Sequence, residues 1–147
     1  MFIMLSGIIT AHAVEIKMVR FKNMVDNDFA RISEFITGNK DTQSRCVFRT
    51  QEDRKNGFYF IVKLDRDLNL LPKDSSLVLE WIPYGKTKAQ QSQFSFHNSP
   101  KHSKEIYIGL TGKDAPQKTS SVPIAWKISI HDQKGQSFAH EKSFLWE

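Results

Sequence analysis

The stretch Val122–Ile130, which reads Val-Pro-Ile-Ala-Trp-Lys-Ile-Ser-Ile, constrains the fold more than any other part of the chain. Its large apolar residues recur in steps of two along one face, at Ile124, Trp126, Ile128 and Ile130. The residues between them and just beyond them are polar, namely Lys127, Ser129 and His131. This is the period of a half-buried β-strand. Because a second layer must cover the apolar face, we expect the rest of the chain to supply a facing sheet.

Other short runs with strand-like patterns lie along the chain and are separated by turn residues. They cover residues 14–22, 45–50, 57–64, 77–81, 94–96, 106–110 and 137–146. The apolar phase flips between Met18 and Val19, which predicts a β-bulge or a strand that changes sheets. The run 29–37 fits a short helix or a strand, and we expect a strand because every other element is β. The segment 131–136 has an Asp and a Gly at the spacing of a type I hairpin turn.

These runs predict an all-β domain of about eight or nine short antiparallel strands in two layers. Trp81 lies on a strand that follows a long strand with apolar residues on both faces. In this layout the chain resembles an immunoglobulin-like or fibronectin-III-like β-sandwich. The resemblance is one of architecture, and the paired cysteines of antibody domains are missing. A shared architecture implies no function.

Length and composition predict a single domain over residues 14–147. Of the 147 residues, 39% are hydrophobic and 25% are charged, which is typical of a globular chain and excludes a disordered one. Cys46 is the one cysteine, so neither an internal disulfide nor a zinc site made of cysteines can form. We interpret Cys46 as a buried filler.

Residues 1–13 are predicted to be a signal peptide. They form a short apolar run that ends in Ala11-His12-Ala13, the small-x-small pattern of a signal-peptidase site, although no Lys or Arg precedes the run. The run is too short to span a bilayer, so we expect no transmembrane span in the mature chain. Export would place the protein in the periplasm or outside the cell. Its partner would then be a protein or a glycan rather than nucleic acid.

The sequence offers little sign of catalysis. It has no G-x-S-x-G motif, and Gly109-Leu110-Thr111-Gly112-Lys113 lacks the spacing of a phosphate-binding loop. His97 and His102 share a loop, but their spacing is not one of a known metal site. We therefore expect neither an enzyme nor a cofactor or metal, and keep a small hydrolase as a remote alternative.

Basic residues suggest where a ligand could bind. The chain has 21 Lys and Arg against 16 Asp and Glu, a formal charge of +5 that favours polyanions weakly. Two patches near aromatic residues are candidate polyanion contacts: Arg45, Arg49, Arg54 and Lys55 in one, and Lys86, Lys88, Lys101 and Lys104 in the other. A solvated surface over an apolar core explains the same pattern without a ligand. The leading hypothesis is an exported, non-catalytic sandwich with a binding or structural role in the cell envelope or a secreted assembly. Polyanion binding, to nucleic acid or acidic glycan, is the alternative.

Overall fold

The computed structural model describes residues 14–29, 45–97, 99–118 and 120–147. These residues form eight strands, confirming an all-β fold. In chain order the strands are β1 (Ile16–Met24), β2 (Cys46–Arg49), β3 (Gly57–Leu64), β4 (Ser76–Ile82), β5 (Gln90–Ser95), β6 (Glu105–Thr111), β7 (Ala125–His131) and β8 (Ser137–Lys142). Two short 3-10 turns, Leu68–Leu70 and Gly112–Asp114, lie in the connections.

The strands form two four-stranded sheets. The first has the order β1-β3-β6-β2 and the second the order β5-β4-β7-β8. The chain crosses between the sheets after β3, after β5 and after β6. Alternating side chains of both sheets meet in one apolar cluster, so the sheets pack face to face. The strand β3 lies inside the first sheet, and its central residues are buried on both faces, as the run 57–64 predicted.

Most residues of the stretch Val122–Ile130 take the positions expected of a central strand. Ile128 and Ile130 are fully buried, and Trp126 is half-buried against Phe21 and Phe60, with ring centroids 5.7 and 5.6 Å away. Ile124 is different: it lies just before β7 and is 42% exposed, although its N–H donates to the carbonyl of Ile82 at 2.9 Å. Ser129, which we expected on the solvent face, is buried because the His131 imidazole lies 2.9 Å from its hydroxyl.

Two predictions need correction, one on strand pairing and one on secondary structure. The strand β2 pairs with β6 in parallel, so the sandwich is not wholly antiparallel. Residues 26–29 are helical, so the strand predicted to start at Phe29 is wrong at its first residue. Residues 30–37 lie outside the described residues, as does the segment 1–13. The periodicity of a strand shows only which of its residues share a face. It therefore could not predict a parallel partner some 60 residues away.

Irregularities predicted from the pattern are present. The register of β1 against β3 shifts between Ile16 and Met18, one residue before the predicted flip. The turn between β7 and β8 closes with the N–H of Gly135 donating to Asp132, and Gly135 has a positive φ of 82°. Some large apolar side chains are exposed: Leu70 is 58% exposed, and Phe144 lies wholly in solvent beyond the end of β8. No helix in the described ranges is long and apolar enough to cross a membrane.

Candidate functional site

The outer face of the first sheet, which points away from the second sheet, carries most of its charge as cations. Strand register places these side chains on one surface: Arg20 lies beside Ile61, Lys22 beside Tyr59, and Lys63 beside Glu105. On β2, Arg49 lies beside Gly109, and Arg45 precedes the strand on the same side. We call this the cationic face; its charged residues are Arg20, Lys22, Arg45, Arg49, Lys63 and the carboxylate Glu105.

Cations on adjacent strands of this face are close enough for their fields to add. Neighbouring strands lie about 4.8 Å apart, which is inside the Debye length of about 8 Å at physiological salt, whereas the two edges of the sheet are about 15 Å apart and largely screened from each other. Arg20, Lys22, Arg45 and Lys63 are exposed, and Arg49 is half-buried. Arg20 makes an exposed ion pair with Glu105, with 3.5 Å between Nη2 and Oε2. Lys63 also lies beside Glu105, and the Asp26 carboxylate is near enough to the bonded Tyr59 and Arg49 to help raise the pKa of Tyr59. Five cations against these two carboxylates still give the described part of the face a positive field.

Two arginines lie over tyrosines that are built into the sheet. The Nε of Arg49 donates to the hydroxyl of Tyr59 at 2.7 Å, and its guanidinium lies 4.7 Å from the centroid of the Phe29 ring. In the same way, Arg45 donates to the hydroxyl of Tyr107 and lies 5.2 Å from the centroid of that ring. Tyr59 in turn donates to the carbonyl of Lys55 at 2.7 Å. These contacts hold both guanidinium groups in place and leave several of their N–H donors for a ligand.

The sequence favours this arrangement locally because Gly109 lies beside Tyr59. A Cβ at Gly109 would lie 2.5 Å from the Tyr59 ring, so only glycine lets the ring lie flat against β6. Tyr59 and Tyr107 are then buried with Ile61 and Met24 in a small cluster on the outer face. Burial raises the pKa of both tyrosines, and the arginine beside each lowers it part of the way back. Both rings therefore stay neutral near pH 7 and act as supports for the arginines.

The residues singled out by sequence do not form two patches. Arg45 and Arg49 belong to the cationic face, whereas Arg54 and Lys55 lie in the turn after β2, where Arg54 makes a weak exposed ion pair with Asp53 at 3.9 Å. The other four lysines are divided between opposite ends of β5. Lys86 and Lys88 precede β5, and Lys101 and Lys104 follow it. A six-residue strand separates these two pairs by about 20 Å, so they do not act as one patch.

Arg20, Lys22 and Lys63 were missed by the sequence reasoning. They are distant in the chain from Arg45 and Arg49, and only the pairing of β1, β3, β6 and β2 brings them together. A signal was nevertheless present in β1, where Arg20 and Lys22 alternate with Val19 and Phe21. That alternation shows that the two cations share a face, but it does not identify the neighbouring strands.

A second candidate surface lies at the end of the sandwich where β4 and β6 finish. A polar cavity of about 600 Å³ is lined by both acids and bases, including Asp26, Asp53 and Lys113. A neighbouring groove of about 380 Å³ has Tyr84, Lys86 and Lys113 at its wall. Gly112, with a positive φ of 58°, lets the chain turn tightly between the two. The mixed charges of the larger cavity give it no clear preference for an anion or a cation.

The described residues offer no obvious catalytic group. They contain no cluster of three or more His, Cys, Asp or Glu that could hold a metal ion, and no buried side-chain polar atom among them lacks a hydrogen-bond partner. Burial raises the pKa of Cys46 to about 11, although a contact with Ser99 lowers it slightly, so the thiol is a poor nucleophile. His131 bonds to Ser129 and to the carbonyl of Gly135, not to His140. Comparisons with protein-family models, curated proteins and solved structures find no match for this chain.

Proposed function

We propose that this chain is a non-catalytic binding module that holds an acidic polysaccharide on its cationic face. The observation that carries the proposal is the strand register, which gathers Arg20, Lys22, Arg45, Arg49 and Lys63 on one surface, where the described strands contribute one carboxylate, Glu105. Fixed guanidinium groups form paired hydrogen bonds with carboxylates and sulfates, and the lysines add mobile positive charge. A flat sheet surface suits an extended polymer better than a small ligand, which needs a concave site.

The aromatic rings of this face favour a glycan over single-stranded nucleic acid. Proteins that bind single strands stack bases on exposed aromatic rings. Here Tyr59 and Tyr107 are almost fully buried, and Phe29 lies under the guanidinium of Arg49. The described part of the face therefore supplies charge and N–H donors without a free ring for a base. Recognition by charge and hydrogen bonds is what a uronate or sulfated sugar requires.

The test is the salt dependence of binding to heparin and polygalacturonate, with a single-stranded oligonucleotide as comparator. We expect binding to both polysaccharides that weakens steeply with salt. Replacing Lys22 and Lys63 together by Gln should weaken binding about tenfold or more and reduce the salt slope by about one per lysine. The matched control replaces Lys73 and Lys134, which lie in turns away from the cationic face, by Gln.

The control variant has the same net charge as the test variant, so it separates a local site from a general charge effect. Equal losses in both variants would show that only net charge matters, and would contradict the proposal. Tighter binding of the oligonucleotide than of either polysaccharide would also contradict it. Both variants change exposed side chains, so we expect their stability to stay within about 0.5 kcal/mol of the parent.

We also propose that the chain is exported. Ala11-His12-Ala13, after a short apolar run, supports this, and an acidic glycan is a partner found outside the cytoplasm. The N-terminal residue of the protein from its native host, together with the cell fraction that holds it, tests the proposal. A chain that begins at Val14 in the periplasm or medium is expected. A chain that retains residues 1–13 in the cytosol would contradict export.

For the fold, we infer an immunoglobulin-like arrangement. In that fold strands A, B and E share one sheet and strands C, F and G share the other. The strands β1, β3 and β6 take the first three places, and β4, β7 and β8 the last three. Trp81 is buried on β4, the place where immunoglobulin domains have a core tryptophan. The strand β2 lies beside β6, where that fold has strand D, but it comes between β1 and β3 in the chain. A crystal structure that lacked this order would overturn the inference.

A further inference from the structure

Three of the four edge strands in the described sheets carry features that oppose pairing with another chain. The first sheet ends in β1 and β2, and the second ends in β5 and β8. The register of β1 shifts near its start, and the strand carries Lys17, Arg20 and Lys22. The strand β8 has a register shift against β7 and ends in Glu141 and Lys142. The strand β2 has only four residues; Arg45 precedes it, and Arg49 is its last residue. Charges, bulges and short length are the usual protection of a sheet edge.

The strand β5 has none of this protection. Its sequence, Gln-Gln-Ser-Gln-Phe-Ser, contains no charge and no proline, and its register against β4 is regular throughout. Four of its six residues are exposed. Among the residues that the structure describes, no strand pairs with its far side. An edge of this kind presents free backbone groups to a partner strand.

The direction of those backbone groups follows from one hydrogen bond. The N–H of Phe96 donates to the carbonyl of Ser75 on the β4 side at 3.4 Å. Because alternate residues of a strand point their N–H and C=O groups in opposite directions, the backbone groups of Gln91, Gln93 and Ser95 point away from β4. The side chains of these three residues lie on the outer face of the second sheet, since Phe94 points into the core.

Aromatic contacts on the core side hold β5 in place. Phe94 stacks face to face on Phe48 of the first sheet, with ring centroids 4.9 Å apart and planes 5° from parallel. Phe96 meets the same ring edge-on at 5.4 Å. These contacts hold β5 from the core side. The backbone of its free edge is therefore already in the extended conformation that a pairing strand needs. Ordering the strand before pairing lowers the entropy cost of association.

We propose that β5 is the contact through which two copies of this chain pair, in antiparallel orientation about a two-fold axis near Gln93. Identical strands meet across such an axis, so a strand with one sign of charge would place like charges together. The neutral side chains of β5 avoid this, whereas β1 and β2 would not. In the pair, Gln93 faces its own copy, and Gln91 faces Ser95 of the other copy. Backbone hydrogen bonds then join the two second sheets into one continuous sheet.

Sedimentation velocity over a range of concentrations tests the pairing. The parent chain should show a dimer whose fraction rises with concentration. Gln93→Lys should shift the dimer to at least tenfold higher concentration, because it places two cations opposite each other at the axis. The matched control is Gln136→Lys, the same change at an exposed position in the turn before β8, on the other edge of the same sheet.

A second measurement locates the contact without any substitution. Amide hydrogen exchange of the parent chain at low and high concentration should show added protection at Gln91, Gln93 and Ser95, and none along β8. A chain that stays monomeric at every concentration would overturn the proposal. So would a dimer that Gln93→Lys leaves unchanged, or one whose added protection falls on another strand. Binding of polysaccharide by a monomeric chain would leave the proposed function intact, so the two proposals fail separately.

Discussion

Cys46 shows how burial decides the chemistry of a single residue. Its thiol is almost fully buried beside Ser99, and burial raises its pKa from 9.0 to about 11. We expect a thiol reagent at pH 8 to label the native protein far more slowly than the protein in denaturant, because the thiolate is the reactive form. Rapid labelling of the native chain would show that β2 opens readily or that the thiol is not buried.

The same shift gives a pH dependence of stability. Because the folded state holds the thiol proton more tightly than the unfolded state does, the stabilisation is complete below about pH 9 and is lost as the pH rises towards 11. Urea unfolding at several pH values should show this decline. The decline should be smaller in Cys46→Ala, where Tyr59 and Tyr107, whose pKa values are also raised, still contribute to it.

Two isoleucines of the stretch Val122–Ile130 differ in burial, and this difference predicts different effects on stability. Ile128 is fully buried, and Ile124 is 42% exposed. Ile128→Ala should lower the free energy of unfolding by about 2–5 kcal/mol, since it removes methyl groups from a packed core. Ile124→Ala should change it by about 0.5 kcal/mol or less. Equal losses in urea unfolding would contradict the start of β7 at Ala125.

At the scale of elements, the sequence was informative about faces and uninformative about partners. The run 77–81 has the alternation of a strand, and its alternate apolar residues Leu77, Leu79 and Trp81 are all buried. It could not predict that β2 pairs with β6 in parallel, because every pairing with the same face inward has the same periodicity. The cationic face was missed for the same reason, as its residues come from four strands. Ile124 continues the alternation of β7 and its N–H donates to the carbonyl of Ile82, yet its side chain is 42% exposed, so alternation and pairing do not by themselves fix burial at a strand end.

The contact between β3 and β6 at Gly109 gives a prediction for two paired elements. Gly109→Ala would place a methyl group about where the Tyr59 ring now lies, with 2.5 Å to its nearest atom. We expect a loss of about 1–3 kcal/mol in stability and weaker polysaccharide binding, because Tyr59 holds Arg49. In a Tyr59→Leu background the stability loss should shrink, which a double-mutant cycle measures. An equal stability loss from Gly109→Ala in both backgrounds would show that the added methyl group does not act through the Tyr59 ring.

At the scale of the whole molecule, the proposed pairing and the proposed cationic face reinforce each other. Pairing through β5 leaves the outer face of the first sheet uncovered, so a dimer presents two such faces to one polymer. A long polysaccharide that spans both should bind more tightly than a short oligosaccharide by a factor of roughly 100 or more. Gln93→Lys should remove most of this difference and leave the binding of the oligosaccharide unchanged. An equal effect on both lengths would indicate that Gln93 contacts the ligand directly.

The parallel pairing of β2 with β6 has a consequence for the order in which the chain assembles. We expect β2 to dock late in folding, because it has four residues and its hydrogen-bonded neighbour, β6, lies some 60 residues further along. A contact that forms after the transition state affects the unfolding rate and leaves the folding rate almost unchanged. Val47→Ala should therefore raise the unfolding rate and leave the folding rate almost unchanged. In a chevron plot the unfolding arm should shift upward, and the slopes of both arms should stay the same. The strand that carries Arg49 to the cationic face would be the last to join during folding and the first to leave during unfolding.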